Sequence, residues 1–101
     1  MKVKSVKMIK QRMGYTVLIK FKNDSSKVMK YGIFNVTPYN KVDDPEDETK
    51  GLRFIGPIKK HKTIIATFDG LWLTNDVIKK VKLESAKAIY MDGSEEEGEI
   101  K

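Results

Sequence analysis

The 101-residue sequence predicts an all-β protein, a two-sheet antiparallel β-sandwich of about seven strands. Three observations carry that expectation. Apolar residues alternate with period two in several short runs, turn chemistry separates those runs, and no segment sustains a helical apolar period.

The clearest strand is Tyr15–Lys22, in which Tyr15, Val17, Ile19 and Phe21 share one face. Before it, Val3–Lys10 reads as a strand whose Val6 and Met8 are out of phase with Val3, which places a bulge near Ser5. Asn23-Asp24-Ser25-Ser26 supplies side chains that bond their own backbone and turn the chain. Met29–Tyr39 follows, with Phe34 and Val36 inward. Pro38 cannot donate to a ladder, so this strand ends there or lies at an edge. The charged stretch Asp43–Glu48 is a loop. Leu52–Ile55 is a short strand closed by Gly56-Pro57, and Lys62–Phe68 is another, ended by Asp69-Gly70. Val77–Leu83 and Ala86–Met91 complete the set, divided by a phase break at Glu84-Ser85. The β-branched residues of Val77–Val81 argue against more than one helical turn there. The expected core is Val17, Ile19, Phe21, Phe34, Val36, Phe54, Leu83 and Tyr90, with Trp72 packed on it. Tyr39 and Tyr90 lie where strands end, positions that favour partial exposure.

Composition narrows the chemistry. Without cysteine there is no disulfide and no thiolate metal site. The start, MKVKSVKMIKQRMGY, lacks the apolar stretch of a signal peptide, and no run approaches the ~18 apolar residues of a membrane span. Net charge is +6 but uneven: residues 1–41 hold ten Lys/Arg against one acid, and residues 42–101 ten against thirteen. Eighteen of the twenty cations are lysine, whereas base readout and bidentate phosphate binding favour arginine.

Four stretches in order, Phe34-Asn35-Val36-Thr37-Pro38-Tyr39-Asn40, Gly56-Pro57-Ile58, Trp72 with Asn75 and Ile78, and Ile89-Tyr90-Met91-Asp92-Gly93, give a pattern PYN…GPI…W…YMDG. In that spacing the chain resembles a family of small bacterial immunoglobulin-like domains of unknown function, over residues 6 to 94. The resemblance implies an immunoglobulin-like sandwich, of a kind often appended to other modules in envelope or secreted proteins. The absence of cysteine is equally compatible with the cytoplasm. The resemblance also implies that the domain, residues 1–93, closes at YMDG and that residues 94–101 are a frayed acidic tail. Where the pattern has a glycine after PYN, this chain has Lys41-Val42-Asp43-Asp44, and Leu73 stands where a tyrosine follows the tryptophan.

No catalytic arrangement is read. The single histidine, His61, sits among Lys59, Lys60 and Lys62 without a partner, and neither a G-x-S-x-G elbow nor a phosphate-cradling glycine loop occurs. Asp43, Asp44, Glu46, Asp47 and Glu48 miss the calcium-loop spacing, and Pro45 stiffens their middle. No metal, cofactor or catalytic residue is therefore assigned. Two surfaces remain. Lys4, Lys7, Lys10, Lys20, Lys22 and Lys30 form a prospective basic face for nucleic acid or another anionic polymer. Tyr39, Asn40, Asp43, Asp44 and Asp47 form a prospective partner loop. The expectation is a non-catalytic interaction or accessory module that binds another protein through an edge strand or end loops. The alternative is a basic nucleic-acid-binding domain, which requires one contiguous lysine face carrying exposed aromatics.

Overall fold

Alternating apolar residues make strands throughout, and the structure, a computed structural model that describes residues 1–100, contains eight: β1 Lys2–Lys10, β2 Tyr15–Lys22, β3 Met29–Tyr39, β4 Lys50–Ile58, β5 Thr63–Leu71, β6 Lys80–Tyr90, β7 Glu95–Glu97 and β8 Glu99–Ile100. They form two four-stranded sheets, ordered β5-β2-β1-β8 and β4-β3-β6-β7. All pairings are antiparallel except β1 with β8, so the first sheet is mixed. Among the described residues no helix is long and apolar enough to cross a membrane.

The inward faces interdigitate into one core. Tyr15, Val17, Ile19 and Phe21 of β2 are buried as their phase requires, and they meet Phe34 and Val36 of β3. Phe21 packs on Phe34 with ring centroids 5.0 Å apart and on Phe54 at 5.7 Å. Phe54 and Leu83 are only partly buried, because Phe54 lies on an edge strand and Leu83 beside the bulge of β6. Tyr90 is buried, whereas Tyr39 is half-exposed.

Several boundaries differ from the sequence reading. The register of β1 shifts between Val3 and Ser5, where the phase break lies. Residues 80–90 are one strand rather than two, since Glu84 is the extra residue that absorbs the break near Ser85. Strand β5 runs through Asp69-Gly70 by bulging, with Gly70 at φ +70°, a conformation open to glycine. β4 continues through Gly56-Pro57, which an edge strand tolerates. Pro38 lies inside β3, opposite Val81 of β6. The ladder to β4 has already ended at Val36, so no bond is lost on that side.

The acidic tail is paired rather than frayed. Glu95 bonds Lys87 at 2.9 Å, and β7 aligns Glu97 with Lys87. The Gly98 amide then donates to Ala86 O (2.7 Å) and the Glu99 amide to Met1 O (2.8 Å), which carries the chain from one sheet to the other. A Cβ on Gly98 would sit 2.9 Å from Ala86 Cβ, so the crossing requires glycine.

Candidate functional site

One end of the sandwich gathers the β3–β4 connection (residues 40–49) and the β5–β6 connection (72–79). Asn40 organises the first. Its Oδ1 accepts from the amides of Val42 (2.9 Å) and Asp44 (3.1 Å), and its Nδ2 donates to Glu46 Oε1 (2.8 Å). This asparagine holds the turn although no glycine is present, and Asp43 takes the left-handed conformation instead, at φ +67°. Tyr39 bridges to Pro45, and the Glu46 amide donates to Pro38 O.

The second connection buttresses the first. Trp72 Nε1 donates to Glu48 O at 2.9 Å, and Asn75 Nδ2 to Glu46 O at 3.2 Å. Trp72, 4 % exposed, meets Tyr15 edge-on at 6.4 Å. The acidic loop is thus fixed to the core through a tryptophan.

Charge at this end is largely satisfied within the chain. The Lys80 ammonium bonds Asp43 and holds its carboxyl below the usual carboxylate range, with Lys82 4.0 Å away. Glu84 accepts from the Tyr39 hydroxyl (2.9 Å), which pushes that phenol up. Lys82 lies over the Tyr39 ring, 4.4 Å from its centroid. Asp47 Oδ1 accepts the Glu48 amide at 2.8 Å, and Asp44 is exposed. Among the described residues no three of His, Cys, Asp or Glu cluster to hold a metal ion. The same end also exposes apolar side chains. Val42, 67 % exposed, and Val77 line a concavity of about 360 Å³ with Asn40, Glu46, Asp76 and Lys79.

Of the six lysines of the prospective basic face, three share one surface and three lie apart. Register places Lys7, Lys20 and Lys22 on the outer face of the first sheet, where Lys7 is level with Leu18, Ser5 with Lys20 and Lys2 with Lys22. Lys4 occupies the β1 bulge and lines a groove with Val6 and Leu83. Lys10 reaches the 72–79 connection and donates to Asp76 O at 3.3 Å. Lys30 is on the other sheet, over the Tyr31 ring. The large side chains exposed or half-exposed beside Lys7 and Lys20 are Ile9, Leu18 and Ile65, not aromatics. Trp72, Tyr15 and Tyr90 are buried, and Tyr31 and Tyr39 already carry cations on their rings.

The opposite end is held by a residue that the sequence marks only as a turn former. Asn23, fully buried, donates from Nδ2 to Lys27 O (2.8 Å) and Ile58 O (3.0 Å) and accepts at Oδ1 from Ser25 Oγ (2.7 Å). Its backbone bonds His61 and Lys62, so one residue ties two connections together. His61 stands there at φ +64° as a turn residue. At the same end Asp92 accepts from Ser94 Oγ (2.5 Å) and Ser94 N (2.9 Å) and pairs with Lys27 at 3.1 Å. These bonds, led by the Ser94 hydroxyl, hold its carboxyl down at about 2.

No profile of a known protein family, no curated protein and no solved structure matches the chain.

Proposed function

We infer that the protein is a non-catalytic interaction module on an immunoglobulin-like sandwich, which binds another protein through the loop end built on Asn40 and Trp72. The observation that carries this reading is the pairing of order with apolar exposure. Val42 and Val77 stand in solvent beside a concavity whose backbone is fixed by Asn40, Asn75 and Trp72. A fixed loop that presents apolar side chains loses little conformational entropy on binding, and binding residues concentrate on loops positioned by a rigid scaffold. Strand order supports the immunoglobulin-like assignment: β1, β2 and β5 lie in one sheet, β3, β4 and β6 in the other, and the last strand runs parallel to the first.

Only half of these lysines share a face, and no exposed aromatic stands among them, which weighs against the nucleic-acid alternative, since that reading needs one contiguous basic stripe carrying aromatics. Panning a random peptide library on the immobilised chain tests the reading. Enriched peptides are expected to bind the chain and to lose at least tenfold in affinity to a Val42→Lys/Val77→Lys variant. Enrichment of peptides indifferent to both substitutions counts against the loop end.

A further inference from the structure

Edge strands expose unpaired N–H and C=O groups, and proteins guard them with lysine, proline, bulges or brevity. Three of the four terminal strands here are guarded. β7 and β8 are three and two residues long, and β4 carries Lys50, Arg53, Gly56 and Pro57. β5 differs. It pairs with β2 on one side, and no described strand pairs its other side. Thr63–Phe68, TIIATF, holds no charge, glycine or proline and is rich in β-branched and aromatic residues, the composition that pairs readily with another strand.

We propose that β5 pairs antiparallel with β5 of a second copy of this chain, joining the two first sheets across a two-fold axis. The edge is self-complementary in the register that centres Ala66 on the axis. Ile64 then meets Phe68 of the second copy, and both are only partly buried in the single chain. Ile65, 62 % exposed, lies beside Thr67 of the second copy. Thr63 opposes Asp69 and Lys62 opposes Gly70, so no like charges are brought face to face. Asp69 is held for this by Thr16 Oγ1, which donates to its Oδ1 at 2.7 Å. An isologous contact of this kind closes at two copies, which distinguishes it from open-ended edge aggregation. The inference goes beyond the loop-end reading and uses another surface, so either can fail alone.

Sedimentation velocity of the full chain from ~10 μM to ~1 mM tests it, a range set by the small area that one strand pair buries. The expected result is a weak monomer–dimer equilibrium, with amide-exchange protection on β5 that rises with concentration. Ile65→Lys and Thr67→Lys, both at exposed positions, are expected to weaken the dimer at least tenfold with unchanged circular dichroism. Ile55→Lys, equally exposed on β4, is expected to dimerise like the parent. A monomer throughout the range overturns the proposal. So does a dimer indifferent to Ile65→Lys and Thr67→Lys, or one that Ile55→Lys weakens as much. A chain that stays monomeric while a library peptide protects β5 assigns the edge to a different protein and rejects the second copy.

Discussion

Trp72 carries a conflict that a pair of substitutions can read. Its backbone sits at φ +49°, in the left-handed region where a Cβ costs about 1–2 kcal/mol. Burial of the indole, its bond to Glu48 O at 2.9 Å and its edge contact with Tyr15 hold it there. Removing the ring costs about 3–5 kcal/mol whichever small residue replaces it. Between the two smallest replacements the ring term cancels. Glycine is ordinarily worse than alanine by about 0.5–1 kcal/mol in a regular element, because it releases more entropy on unfolding. At Trp72 the left-handed penalty falls on alanine alone, so the order inverts and Trp72→Gly is expected to be more stable than Trp72→Ala by roughly 0.5–1 kcal/mol. With a urea slope near ~1.5 kcal/mol/M, the midpoints differ by about 0.5 M. The chain has one tryptophan, so far-ultraviolet circular dichroism must report the unfolding. An alanine variant that is as stable as the glycine variant, or more so, refutes the left-handed geometry and the anchoring of the acidic loop that depends on it.

Three further outcomes follow from other sites. Asn23→Ala strands two carbonyls, Lys27 O and Ile58 O, and is expected to cost about 3 kcal/mol, a fall in Tm of roughly 10–25 °C by differential scanning calorimetry. Asp92 is expected to titrate near 2 by carboxyl NMR. Because its folded pKa is depressed, its contribution to stability is present above about 3.8 and lost as pH falls toward 2, and Ser94→Ala moves the titration back up. Gly98→Ala forces a Cβ to 2.9 Å from Ala86 Cβ and is expected to cost about 1–3 kcal/mol, with β7 and β8 amides losing exchange protection before the remaining strands do.

The six long strands were legible because each buries one face, and a half-buried strand writes that face as period two. Phase breaks at Ser5 and Glu84 were legible for the same reason, although the second was read as the end of a strand rather than as one extra residue within it. The tail was not legible. Glu95, Glu96 and Glu97 have no period and no apolar face, and what pairs them is Lys87 and the backbone of Ala86, partners that only the fold brings alongside. The partner loop was marked by its acids, yet most of those acids are engaged within the chain. Val42, a lone valine amid charge, was the better signal. Asn23 shows the same limit: an Asx turn is local and readable, whereas its bond to Ile58 spans the domain and is not.

We propose binding at the loop end and not on the lysines of the first sheet. A two-dimensional amide NMR titration of the labelled chain tests it most directly, first with a library-selected peptide and then with a DNA oligonucleotide at low salt. A loop-end module predicts peptide-induced shifts confined to residues 40–48 and 72–79, with no shifts from DNA. Shifts that instead follow Lys7, Lys20 and Lys22 on addition of DNA, and fade steeply as salt rises, contradict it.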